Sequence, residues 1–294
     1  KDQIKQTLSN SKIFNIFQSN KAIILFLLNS GIIILDESIF SCLIESKESN
    51  GLKICHFFIS EIKNFLKDKN IQIKEEDLFE IGPDILCDYD EKRKIGENDS
   101  YICSLIRKDS VEEFISYTTR TNISLKSQIK PSIFETHSFL ISENPTLIEY
   151  ATFFGSIQIV RYLYMNNVQL NSSLWFYSIH SNNPELIHFL EENHVGPNDT
   201  NNFNECFIES IKCHHNEIAN YIFDNLLNPN TIESSLFNDS IQYFNYSFFP
   251  KNFNQDKIFI NLCKFSHLTI VKFLMLDNKD KIETTTIVLN NIFV

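Results

Sequence analysis

Glycine is scarce, with 6 in 294 residues, and neither a GxGxxG run nor a GK[ST] run occurs. The chain therefore lacks the loops that cradle a nucleotide's phosphates, and nucleotide chemistry is not expected. Paired cysteines are missing as well. The seven cysteines, at 42, 55, 87, 103, 206, 213 and 263, are odd in number and include no CxxC. That pattern predicts reduced, mostly buried thiols rather than a disulfide framework. Nor is there a long apolar run. The strongest, 22–35, is interrupted by Asn29, Ser30 and Gly31 and closed by Asp36, too short and too polar to span a bilayer. Positive charge is the last shortage. Lysine and arginine total 26 against 37 acidic residues, and a net charge of -11 opposes attraction to phosphate backbones or anionic lipid. The tight basic cluster Lys92, Arg93 and Lys94 sits among Asp88, Asp90, Glu91, Glu97 and Asp99, a solvated mixed-charge loop. No nucleic-acid partner and no membrane insertion are expected, and the location expected is cytoplasmic. There is no signal-peptide layout. The chain begins at Lys1 rather than Met and stops in an apolar tail, 287–294, which reads as a piece of something longer.

Apolar residues, by contrast, are plentiful. They make up 43% of the chain, with 27 phenylalanines, enough buried surface to offset chain entropy. Their spacing repeats. Within 144–171, Leu147, Ile148 and Ala151 form one stripe, Gly155 breaks the chain, and Ile157, Ile159, Val160 and Leu163 form a second. The spacing predicts two short helices joined by a tight turn, with Asn167 suited to a left-handed C-terminal cap. The same frame recurs around breaks at Asp109, Asn182, His214 and Ser266, with Pro184 in the first turn of a helix. Break-to-break intervals are 46, 27, 32 and 52 residues. The extra length falls in 121–143 and 228–255, each a long connection or a diverged helix pair.

Five regions follow. Residues 1–66 form an N-terminal helical region or diverged repeats, with a helix capped at Gly31 and a helix pair around the Asn50-Gly51 turn. The charged stretch 67–100, containing Gly82-Pro83, reads as a linker. Residues 101–226 carry the repeats, 227–257 an irregular connection or diverged repeat, and 258–294 a further repeat.

The residues TLIEYATFFGSIQIVRYLYMNNVQLN, 146–171, resemble the ankyrin repeat. Thr146, Ile148, Ala151, Gly155, Ile159, Val160, Leu163 and Asn171 stand where that frame wants them, while Leu147 replaces the usual Pro and Glu149 the usual His. The second change removes the histidine's hydrogen bonds across the turn. From Ser104 to about Leu226, and more loosely elsewhere, the chain looks like an ankyrin-like domain of unknown function abundant in large protein families of parasitic protists. The resemblance implies an all-α fold, an α-solenoid of degenerate ankyrin-like helix pairs with irregular long connections. It also implies a non-catalytic surface or scaffold for an unidentified protein partner, with no cofactor. In the ankyrin frame the exposed side of the first helix carries Tyr150 and Phe154 in one repeat and Tyr177 and Ser181 in the next, so these four are expected to face the partner. The competing expectation is aromatic packing between neighbouring repeats; Trp175 takes the core Leu position of the frame and is expected to be structural.

Histidines and cysteines are weighed last. Cys206, Cys213, His214 and His215 suggest a metal, but His214 stands at the break, His215 opens the next helix and Cys213 ends the first, so turn and core roles are expected instead. His180 and His188 flank the Asn182 break without a cysteine or acidic partner at motif spacing, and read as surface polar residues. A Cys–His nucleophile pair has no support beyond the presence of both residue types. The alternative to a binding module is an enzyme with an unrecognised site or one carried by flanking domains, whose mark is three or more polar residues with shifted protonation in one pocket; a third is a structural spacer, marked by a uniformly charged surface with no aromatic patch.

Overall fold

In a computed structural model the residues described are 8–45, 54–71, 88–197, 202–227, 238–248 and 255–277. The Asn50-Gly51 and Gly82-Pro83 turns, Cys87 and the tail 287–294 lie outside them. Among the described residues there are helices and no β-strand, apart from one isolated antiparallel bridge between Gln128 and Thr146. Two compact units divide the chain, the first drawn from 1–151 and 158–168, the second from 152–157 and 169–294.

The first unit begins with α1 (Asn10–Phe17), α2 (Lys21–Asn29) and α3 (Glu37–Glu45), followed by a 3-10 turn (Ile54–Phe58) and α4 (Ile59–Asp68). Short polar side chains set the helix starts. Ser9, Asn20 and Asp36 each accept from a backbone N–H of the first turn, satisfying donors that have no partner within the helix. Gly31, at φ +64°, closes α2 as its position suggests. Ile13, Phe14, Ile24, Leu43, Phe57, Phe58 and Ile62 fill the core between these helices, together with Phe134 from far along the chain.

The stretch 67–100 is not a plain linker. It includes α5 (Tyr89–Ile95), fastened to the core beside α4. Tyr89 is buried, its hydroxyl donating to the His56 carbonyl at 2.9 Å, and Arg93 pairs with Glu61 at 2.6 Å and donates to the Phe57 carbonyl. Composition misled here because Asp90, Glu91 and Lys94 are solvated on one side of α5 while Tyr89 and Arg93 anchor the other. The pair α6 (Tyr101–Arg107) and α7 (Val111–Thr121) then packs around Leu105, Ile106 and Phe114. An irregular segment, 122–137, leads through the short α8 (Ser138–Glu143) to α9 (Leu147–Phe153) and α10 (Ile157–Met165).

The second unit holds α11 (Leu174–Ser181) and α12 (Pro184–Glu192), α13 (Asn204–Lys212) and α14 (Asn216–Asn225), the short α15 (Asn238–Gln242) with a 3-10 turn (Tyr246–Phe248), and α16 (Gln255–Lys264) with α17 (Leu268–Asp277). One backbone device recurs through the chain. All five expected breaks lie in the left-handed region: Asp109 at φ +49°, Gly155 at +74°, Asn182 at +52°, His214 at +60° and Ser266 at +62°. Phe244, at +57°, is a sixth, inside the segment expected as a connection or diverged repeat. The N–H of each break residue donates to the carbonyl three residues back, and at Asp109, His214, Phe244 and Ser266 the next N–H donates five residues back. This is the Schellman termination, which satisfies the last carbonyls of a helix. The second helices of the pairs end the same way at Asn122, Asn167 and His194.

A second recurrence links successive pairs within the second unit. The first helices pack in chain order, α11 on α13, α13 on α15 and α15 on α16. The residue just past each of the breaks at His214, Phe244 and Ser266 reaches back to the carbonyl three positions before the previous break. His215 Nδ1 donates to Ile179 O at 2.7 Å, Asn245 Nδ2 to Ile211 O at 3.0 Å and His267 Nε2 to Ile241 O at 2.6 Å. Different residue types thus make the same bond between successive helix pairs.

Candidate functional site

The expected partner face is not an open one. Tyr150 is 1% exposed and Tyr177 3% exposed, so both lie in the interior. Phe154 and Ser181 are half-buried. The ankyrin frame leaves the outer side of the first helix open, but here the hydroxyl of Tyr150 accepts from Arg107 Nη1 at 2.8 Å, against a wall supplied by the irregular connection. Tyr177 is enclosed because α11 also buries Leu174, Trp175, Ser178 and Ile179, leaving little of the helix open. Trp175 is structural as expected, fully buried and donating from Nε1 to the Val195 carbonyl at 2.7 Å.

That wall belongs to a cavity of about 500 Å3 in the first unit, within the roughly 300–1,000 Å3 of small-molecule sites. Residues 122–137 form much of it, and they are pinned by polar bonds to the surrounding elements. Lys21 Nζ donates to Ile133 O at 2.8 Å, Asn98 Nδ2 to Lys130 O at 2.8 Å and Thr136 Oγ1 to Gly96 O at 2.8 Å. The bridge to Thr146 and the bond from Ile129 N to Pro145 O close the far end. Phe14, Ile54 and Leu140 supply apolar lining, and Lys21, Glu135 and Tyr150 supply the polar groups.

All three polar groups have shifted protonation. Burial pulls the Lys21 ammonium down to about 8, against the raising influence of Glu135. The carboxyl of Glu135 is held above its ordinary range by burial, opposed by backbone N–H donors from His137 and Asn98 and by the charges of Lys21 and Arg107. Tyr150 is likewise raised, chiefly by burial. This is the mark set out above for an unrecognised site. Yet each group also has a structural bond: Lys21 to Ile133 O, Glu135 to the N–H groups of Asn98 and His137, and Tyr150 to Arg107.

A second constellation stands in the second unit, and sequence reading missed it. His180, at the end of α11, places Nε2 2.9 Å from Glu209 Oε1, and Cys213 Sγ lies 3.5 Å from His180 Nδ1. Lys212 Nζ sits 3.0 and 3.1 Å from the two carboxylate oxygens, and Phe153 stacks on the imidazole at 5.4 Å. Burial alone would raise Glu209, but hydrogen bonds from His180 and Lys212 bring it below its ordinary value. Burial and the Glu209 charge push the Cys213 thiol up to about 12. His180 is therefore not a plain surface residue. His188, with a side chain 58% exposed beside Glu191, is one. His214 and His215 have turn roles, and Cys206 is fully buried. The readable signal was the 32-residue interval from Asn182 to His214, which brings the end of one first helix beside the end of the next.

Comparison with family models, with curated proteins and with solved structures finds no match to this chain.

Proposed function

We propose that this chain is a non-catalytic scaffold whose helix pairs stack as an ankyrin-like α-solenoid and present a surface to another protein. The observation that carries the reading is the threefold recurrence of the His215, Asn245 and His267 bonds to the preceding pair. Repeats joined by nearest-neighbour contacts hold an extended surface whose turn residues can vary without disturbing the core. With a net charge of -11, a partner with a basic face is favoured. Affinity capture of the partner from native cells, followed by mass spectrometry and repeated across a salt series, tests the reading. A saturable partner whose retention falls with salt is expected. Absence of any saturable protein partner overturns it.

The cavity supports a second reading, in which the first unit holds a small, mostly apolar molecule with an acceptor for Lys21. Equilibrium titration with an environment-sensitive apolar dye gives the readout. Saturable binding that is lost when Leu140→Trp fills the cavity supports this reading, and binding unchanged by that substitution contradicts it.

A further inference from the structure

His180, Glu209 and Cys213 come from two successive first helices and end within bonding reach of one another. Glu209 and Cys213 are four residues apart, so they share a face at the C-terminal end of α13, while His180 faces them from the last turn of α11. Their ligand atoms all lie within 4.8 Å. The Nε2 to Oε1 distance is 2.9 Å, Nε2 to Sγ 4.0 Å, and Oε1 to Sγ 4.0 Å. Cys213 Sγ lies nearer Nδ1, at 3.5 Å, than Nε2, so the imidazole has to shift to aim its Nε2 lone pair at a cation bonded to all three atoms at the roughly 2.0–2.3 Å of zinc sites. We propose that His180 Nε2, Glu209 Oε1 and Cys213 Sγ form a three-ligand site for a borderline divalent cation of the zinc class.

The donor set fits that class and not a hard cation. Imidazole and thiolate suit zinc or cobalt, whereas magnesium and calcium take oxygen. On binding, the cysteine thiol releases its proton to solvent, and bonds form from the cation to sulfur, nitrogen and one carboxylate oxygen. One thiolate and one carboxylate then neutralise the divalent charge, and solvent completes the tetrahedron, because all three residues are only partly buried. Lys212 does not block the site. Its side chain is 45% exposed, and coordination through Oε1 leaves it Oε2 at 3.1 Å. Phe153 stacks against the imidazole at 5.4 Å. With ligands from α11 and α13, the cation staples one helix pair to the next.

Cobalt(II) titrated into the reduced, chelator-treated full chain tests this. The expected result is a thiolate-to-cobalt charge-transfer band with tetrahedral ligand-field bands, saturating at one cobalt per chain and bleached by zinc. The charge-transfer band should vanish in C213S and persist in C263S, which alters a half-buried thiol elsewhere. H180Q and E209Q should each weaken binding at least tenfold, and zinc should raise the melting temperature of the parent chain but not of C213S. A chain without the charge-transfer band has a His–Glu ion pair there and nothing more, and the proposal fails. It fails equally if the band survives C213S, or if neither H180Q nor E209Q weakens it.

Discussion

Tyr150 and Phe154 separate two uses of an aromatic side chain. Tyr150, at 1% exposure, fills the interior and receives Arg107, so Tyr150→Ala should cost about 3 kcal/mol or more, in the range for large core truncations. Phe154→Ala, at a half-buried position, should cost clearly less, and paired denaturant melts measure both. Gly155 and Ala151 test the turn beside them. A Cβ on Gly155 meets Asn183 Nδ2 no closer than 3.5 Å, so there is room, but φ is +74°. Gly155→Val should therefore lose about 1–2 kcal/mol through left-handed strain, and Ala151→Leu, at a fully buried site, about 1–3 kcal/mol through overpacking. Harmless changes at both positions would contradict the turn and its packing. Lys21 gives a pH signature. Its folded value of about 8 lies below the ordinary 10.5, so between those pH values the unfolded chain binds more protons and stability gains from rising pH. The free-energy difference between the parent chain and Lys21→Met should grow in the parent's favour across that window. A flat difference would contradict the burial of the ammonium.

At the scale of elements, local rules carried much of the fold. Breaks at Asp109, Gly155, Asn182, His214 and Ser266 were legible because helix stripes stop there, and all five are left-handed. Phe244 was not legible, since an aromatic residue rarely adopts that backbone and a five-residue first helix gives too short a stripe to see. Glu149 was misjudged. It replaces the histidine of the ankyrin pattern, yet its Oε2 accepts from both Thr146 N at 2.8 Å and Thr146 Oγ1 at 2.7 Å, tying down the start of α9 as a capping glutamate does. The Thr-x-x-Glu spacing was in the sequence all along. Glu149→Ala should cost about 1 kcal/mol, and Asn245→Ala, which removes a buried bond to the preceding pair, about 1–2 kcal/mol. Thermal melts that leave either variant unchanged would deny those bonds a role. The His180, Glu209 and Cys213 cluster and the cavity stayed hidden for a different reason. Each joins side chains about 30 or more residues apart, and nothing local to a single helix announces which neighbour it will meet.

For the whole chain, the account rests on interchangeable helix pairs, because a scaffold of nearest-neighbour contacts tolerates loss of a unit but not loss of register. The breaks at Asn182 and His214 bracket one unit of 32 residues. Deleting 183–214 joins one left-handed turn to the start of the next second helix and preserves the frame, whereas deleting 187–206 joins the first turn of α12 to the middle of α13, fusing a second helix to a first helix, and disrupts it. Far-ultraviolet circular dichroism during thermal unfolding compares the two deletions directly. The account predicts that the chain lacking 183–214 keeps its helical signal per residue and a cooperative transition, while the chain lacking 187–206 loses both. Equal damage from the two deletions would contradict the repeat frame itself.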